Sequence, residues 1–139
     1  MTIHDVSIPA FAEFAVQSNF SFLRGASHPE ELVVTAKRLG LAALGLADLN
    51  TVSGVVRAHQ AANEAGLAYH PGARLEFSDC CFEILAYPAN RRGWAHLCRL
   101  LTAANLRGEK GAPDLLFSDL IDWGEALELA VNWQADCSP

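Results

Sequence analysis

The sequence predicts an α/β fold with a largely parallel sheet. Short apolar runs of strand length alternate along the chain with segments whose apolar residues recur at helical spacing, which is typical of a strand–helix–strand architecture. The chain has 139 residues, which suits one domain, and it is 51% hydrophobic and 19% charged, so it can bury a core. We expect this domain at residues 11–133, between a flexible N-terminus at residues 1–10 and a flexible tail at residues 134–139.

The first strand and the first helix are predicted within residues 11–40. Residues 11–17 are mostly apolar and are expected to form a buried strand. Ser27 is predicted to cap the following helix, because Glu30 lies three residues later and can bind back to the cap. Pro29 fits the first turn, where a backbone N–H is not needed, and Gly40 is expected to end the helix.

The later segments continue the alternation of strands and helices. Gly66 is predicted to close the second helix, and Asn90 is predicted to cap the third. Ser118 is the predicted cap of a short helix that ends at Trp123. The predicted order is a strand at 41–47, a helix at 52–65, short strands at 67–70 and 74–77, a strand at 82–87, a helix at 91–106, the short helix, and a strand at 126–133.

Charge and cysteine content narrow the possible functions. The net charge of −6 argues against direct DNA binding by this chain alone, because phosphate binding needs a basic face. No apolar run approaches the ~18 residues that a membrane helix needs. The four cysteines form no C-x-x-C pair and are interpreted as mostly buried thiols in a reducing cytoplasm; they are Cys80, Cys81, Cys98 and Cys137. We therefore expect a soluble cytoplasmic protein.

Polar side chains follow several of the predicted strands. Because ligands of α/β folds gather at the carboxyl ends of strands, these residues form a candidate site with oxygen ligands for a hard metal. They are Gln17, Ser18, Asn19, Asp48, Asn50, Glu76 and Asp79. Alternative roles remain open, since Asp48 could serve as a turn or cap residue and Glu76 could pair with Arg74 or a backbone group. No histidine lies at these strand ends, which argues against a zinc cluster.

Several segments resemble the opening of bacterial error-prone DNA polymerases of the DNA polymerase III alpha-subunit family. The resemblance covers residues 10–131, and its motifs occur in the family's order. Its most specific part is Ser18-Asn19-Phe20-Ser21-Phe22-Leu23-Arg24-Gly25-Ala26-Ser27. Further similar segments are Leu46-Ala47-Asp48, Ser53-Gly54-Val55-Val56-Arg57-Ala58-His59, Pro71-Gly72-Ala73-Arg74-Leu75-Glu76, Leu97-Cys98-Arg99-Leu100-Leu101-Thr102 and Arg107-Gly108-Glu109-Lys110-Gly111.

This resemblance implies the first part of a PHP (polymerase and histidinol phosphatase) domain, a distorted (β/α)7 barrel. In active members, metal ions held by His, Asp and Glu hydrolyse phosphoesters or proofread DNA ends. Asp48 and Glu76 match acidic residues of the family motifs and are the candidate metal ligands. The family's histidines align with Ala15, Gln17 and Leu49, so these three ligand positions are degenerate. No cofactor is expected; the alternative is a divalent metal such as Zn, Mn or Mg.

The implied function is that of a non-catalytic PHP module with a structural or interaction role in DNA replication or repair synthesis. Its partners would be the remainder of a polymerase or other replication and repair proteins. The parent family is DNA-directed DNA polymerase, whereas this chain alone is expected to be inactive. Two alternatives are a metal-dependent phosphoesterase or 3′–5′ exonuclease, and a stand-alone self-associating interaction domain. Self-association is considered because part of a barrel exposes sheet edges.

Overall fold

The computed structural model describes residues 10–132, so nearly all of the two predicted flexible termini lies outside the described part. The elements in chain order are β1 (Ala12–Val16), α1 (Pro29–Arg38), β2 (Ala43–Leu49), α2 (Val55–Ala65), β3 (Ala68–Glu76), β4 (Glu83–Pro88), α3 (Arg91–Arg107), α4 (Phe117–Trp123) and β5 (Leu127–Asn132). Apart from β3, where the sequence predicted two short strands, the order of strands and helices is the one that the sequence predicts.

The five strands form one sheet in which their spatial order equals their order in the chain. β1, β2 and β3 run parallel to one another, and helical crossovers connect them. β3, β4 and β5 run antiparallel to one another. The loop between β3 and β4 is too short for a parallel crossover, which explains the change of direction. The α/β fold class is thus confirmed, and the parallel part of the sheet is its first half.

Two groups of buried side chains hold the helices on one face of the sheet. The first lies between α1, α2 and the parallel strands and comprises Val33, Ala36, Leu44, Leu46, Ala58, Ala62 and Leu67. The second lies under α3 and α4 and includes Leu75, Ile84, Ala86, Leu97, Leu100, Ala104, Leu115 and Leu120. We call this side of the sheet the helix face, and we call the opposite, concave side the inner face.

β3 is one continuous strand, so the prediction of two short strands at 67–70 and 74–77 is wrong. Pro71 suggested a break because proline cannot donate to a sheet ladder. Here Pro71 lies opposite Leu46 of β2, and β4 begins to pair with β3 only at Ala73. The proline therefore occupies a stretch of the strand with a neighbour on one side only, where a missing N–H costs little.

Two of the predicted helix caps are displaced. The cap of α1 is His28 rather than Ser27, and the Glu31 carboxylate accepts a hydrogen bond from the backbone N–H of His28 at 2.9 Å. The cap of α4 is Leu116 rather than Ser118, with Asp119 accepting from the N–H of Leu116. In both cases the helix begins one or two residues away from the predicted position, because the carboxylate three residues beyond the actual cap binds its backbone.

Three other predicted helix ends are confirmed, whereas α2 begins at Val55 rather than at residue 52. Asn90 accepts hydrogen bonds from the backbone of Arg92 and Gly93 and thereby caps α3. Gly66 ends α2 with φ 61°, a left-handed conformation that favours glycine. Gly40 follows α1 with φ 75° for the same reason.

β1 is not buried, contrary to the sequence prediction, because it is an edge strand of the sheet. Phe14 and Ala15 are both exposed. The apolar side chains of β1 make contacts on both faces instead. Val16 packs against the buried cluster on the helix face, and on the inner face the Phe14 ring packs edge-on against the Tyr87 ring at 5.5 Å between centroids. The Tyr87 hydroxyl also donates to the Phe14 carbonyl, so β4 contacts β1 across the concave sheet.

Glycines beneath these rings permit the curl of the sheet. A Cβ atom on Gly45 would lie 2.7 Å from the Phe14 ring, and one on Gly72 would lie 2.5 Å from the Tyr87 ring. Both distances are far below van der Waals contact. Since the two glycines lie in the middle strands, β1 and β4 can approach each other over them, which gives the sheet the shape of half a barrel.

We expect Gly72→Ala to lower the free energy of unfolding by about 1–3 kcal/mol, because it overpacks the inner face. The added methyl would meet both the Tyr87 ring and the Ala86 carbonyl, 2.8 Å away. Urea unfolding followed by circular dichroism measures the change. The same substitution made together with Tyr87→Ala should cost less than it does alone, and equal costs would show that the ring is not the obstacle.

Candidate functional site

The carboxyl ends of the parallel strands and the start of β4 lie at one edge of the sheet. β2 ends with Asp48 and Leu49, β3 ends with Glu76, and the antiparallel β4 begins at Glu83, directly opposite Glu76. The loop after β1 brings Arg24 to the same edge. We call this edge the strand-end site.

Asp48 is 1% exposed and organises the loop that follows β1. Its Oδ1 accepts from the backbone N–H of Ser18 at 2.7 Å and from the Ser21 hydroxyl at 2.7 Å. Its Oδ2 accepts from the Ser18 hydroxyl at 2.7 Å. The Ser21 hydroxyl in turn accepts from the N–H of Leu49 at 2.9 Å. Uncharged donors therefore engage both carboxylate oxygens and tie the loop to the end of β2.

Asp48 and Glu76 lie on opposite faces of the sheet. Asp48 pairs in register with Ala73, whose side chain belongs to the core on the helix face. Since side chains alternate along a strand, Arg74 and Glu76 lie on the inner face. The structure thus does not bring the two candidate ligands together around one point. Their assignment as remnants of a metal site stays a prediction.

Two arginines neutralise the carboxylates on the inner face. Arg24 bridges the strands, with Nη2 at 2.5 Å from Glu76 Oε2 and Nη1 at 2.7 Å from Glu83 Oε1. Arg74 Nη1 lies 2.8 Å from the other oxygen, Glu83 Oε2, and Asn132 Nδ2 donates to that oxygen at 3.0 Å. Glu76 thus pairs with Arg24, whereas the alternative interpretation named Arg74 or a backbone group as its partner. We call Arg24, Arg74, Glu76, Glu83 and Asn132 the arginine cluster.

The cluster shifts the pKa values of Glu83 and Arg24. Burial disfavours ionisation of Glu83, whose side chain is 3% exposed, but hydrogen bonds from Arg74, Arg24 and Asn132 outweigh burial and lower its pKa to about 2. The hydrogen bond to Glu83 raises the pKa of Arg24 in return, although partial burial opposes the change. Glu83 is therefore a carboxylate and Arg24 a cation throughout the physiological pH range.

Ala15, Gln17 and Leu49, the positions that the resemblance implies to be degenerate ligand positions, lie in three different surroundings. The carbonyl of Ala15 accepts a hydrogen bond from Arg74 Nη2 at 3.2 Å, a second bond that crosses the inner face. Gln17 is half-buried, and its amide nitrogen has no hydrogen-bond partner among the described residues. Leu49 lies opposite Arg74 in the β2–β3 register. A metal-binding side chain at this position would therefore lie on the inner face.

Arg24, Glu83 and Asn132 are site residues that the sequence interpretation missed. A single glutamate at the start of the otherwise apolar segment 82–87 was an available signal, since a buried carboxylate needs partners. Arg24 gave no such signal, because its partners lie 52 and 59 residues away in the chain. Among other predicted residues, Asn50 binds the backbone of Glu76 through both side-chain amide atoms, and Asp79 accepts from the N–H of Phe117.

The cysteines differ in their surroundings. Cys80 and Cys98 are half-buried, and burial raises the pKa of both thiols. Cys81 is exposed, which differs from the expected burial, because it lies in the loop between β3 and β4. Cys137 lies outside the described residues.

The PHP domain model matches residues 13–132. The chain belongs to the PHP domain family. This PHP domain is 62% identical over 128 residues to the error-prone DNA polymerase of Mesorhizobium japonicum and 57% identical over 121 residues to error-prone DNA polymerase 1 of Rhizobium meliloti. The matches cover 91% and 87% of this chain but 11% of each relative, so the chain spans about a tenth of the length of these curated relatives. The resemblance to error-prone polymerases is thereby confirmed.

Solved structures place the half-barrel among PHP-like folds. A structure from Bifidobacterium adolescentis, assigned as a metal-dependent phosphoesterase, aligns with a TM-score of 0.56 and 28% identity over 71% of this chain and 36% of that one. An amidohydrolase from Chromobacterium violaceum aligns with a TM-score of 0.55 and 23% identity over 68% and 32% of the two chains, which supports the fold alone. The expected partial PHP barrel is confirmed.

No helix within residues 10–132 is long and apolar enough to span a membrane.

Proposed function

We propose that this PHP domain is a non-catalytic module of an error-prone DNA polymerase, with a structural or interaction role in replication or repair synthesis. The observation that carries the proposal is the position of the Arg24 guanidinium, which bridges Glu76 and Glu83 at the strand-end site. A protein cation here provides the positive charge that a bound metal would otherwise bring to these carboxylates. Its bonds also tie the loop after β1 to β3 and β4, which suits a module that must hold a fixed shape.

The donor set of the strand-end site does not fit a metal centre. Both oxygens of Asp48 already accept hydrogen bonds from Ser18 and Ser21, and Asp48 points away from Glu76. Glu76 already forms an ion pair with Arg24, and the positive charge of Arg24 would repel a metal cation that approached this carboxylate. Within residues 10–132, no three His, Cys, Asp or Glu side chains are grouped so that they could hold a metal ion. We therefore derive no catalytic step through a metal.

The proposed partners are the remaining parts of a polymerase chain or other replication and repair proteins. The relatives named error-prone DNA polymerase are about nine times as long as the matched segment, so in them a PHP domain has further polypeptide to contact. The net charge of −6 disfavours direct binding of this domain to DNA. We propose a cytoplasmic location on the basis of this assignment.

Metal-dependent phosphoesterase or 3′–5′ exonuclease activity is the alternative, motivated by the assigned activity of the relative from B. adolescentis. It would require Asp48 and Glu76 to leave their present partners and to recruit histidines from elsewhere. In such an enzyme, Glu76→Ala would remove a metal ligand.

We expect the 139-residue chain to bind neither Mn²⁺ nor Zn²⁺ stoichiometrically and to hydrolyse neither p-nitrophenyl phosphate nor single-stranded DNA ends. Metal titration by calorimetry and elemental analysis after gel filtration measure binding, and product release measures hydrolysis. Glu125→Ala is the matched control for Glu76→Ala, because Glu125 is an exposed carboxylate paired with Arg92 away from the site. Stoichiometric metal together with an activity that Glu76→Ala abolishes and Glu125→Ala retains would contradict the proposal.

A further inference from the structure

We draw no further inference here: the strongest candidate, the apolar tip of the loop after β1, where Phe22 and Leu23 are 82% and 89% exposed and Leu23 has a φ of 61°, carries nothing because nothing in the structure shows what covers it in a chain that spans about a tenth of the length of its relatives.

Discussion

Glu83→Ala is expected to lower the free energy of unfolding by about 3–5 kcal/mol, the range for removing one partner of a buried ion pair. Glu83 and Arg74 are the buried members of the arginine cluster, with side chains 3% and 10% exposed. Without the carboxylate, the Arg74 guanidinium loses its ionic partner on the inner face, and Arg24 loses the better buried of its two. The cost arises mainly from the uncompensated charge of Arg74.

Urea unfolding at neutral pH measures this effect, and Glu125→Ala provides the control. Glu125 pairs with Arg92 at the same distance, 2.8 Å, as the Glu83–Arg74 pair, but its side chain is 63% exposed. Solvent screens such a pair, so we expect a loss of less than about 1 kcal/mol. Similar losses in the two variants would contradict the assignment of Glu83 as the centre of the cluster.

The same carboxylate makes stability depend on pH in the acidic range. The pKa of Glu83 is lowered from 4.5 to about 2 in the folded state, so the contribution of Glu83 is fully present above its unfolded-state pKa of 4.5. It is lost as the pH falls from 4.5 towards 2, because the unfolded state then binds the proton more readily. Glu83→Gln removes this titration. The stability difference between wild type and Glu83→Gln should therefore shrink across this window and stay constant above it.

Asp48→Ala is expected to lower the free energy of unfolding by about 3 kcal/mol, because three charge-assisted hydrogen bonds are lost and their buried donors remain. Ser18 and Ser21 are both fully buried, so water cannot readily replace the carboxylate. The loop after β1 would lose its three hydrogen bonds to Asp48 of β2, and Arg24 lies in this loop. Loss of Asp48 should therefore also weaken the arginine cluster.

Thermal and urea unfolding measure the Asp48→Ala effect, with two comparison variants. Asp48→Asn keeps one acceptor oxygen and the shape of the side chain, so we expect less than half of the loss. Asp122→Ala removes an exposed aspartate of α4 and should change stability little. A double-mutant cycle between Asp48→Ala and Glu83→Ala should show coupling through the loop. Strict additivity would mean that the two sites act independently.

Local sequence determined the elements of this fold where short-range chemistry suffices. Asn90 predicted the start of α3, and Gly40 and Gly66 predicted the ends of α1 and α2, because capping involves neighbours in the chain. The family resemblance likewise depended on contiguous motifs and identified the PHP domain. The continuity of β3 through Pro71 was not predictable in this way, because it depends on where β4 begins to pair.

By itself, then, the sequence determined that the chain is an α/β PHP domain and that Asp48 and Glu76 stand at strand ends. Only the tertiary structure decided what the strand-end carboxylates contact. Arg24 meets Glu76 and Glu83 across 52 and 59 residues of chain, and Asp48 turns to the opposite face to bind Ser18 and Ser21. The physical reason is that partners of a charge are set by strand register and the curl of the sheet, which no local pattern encodes.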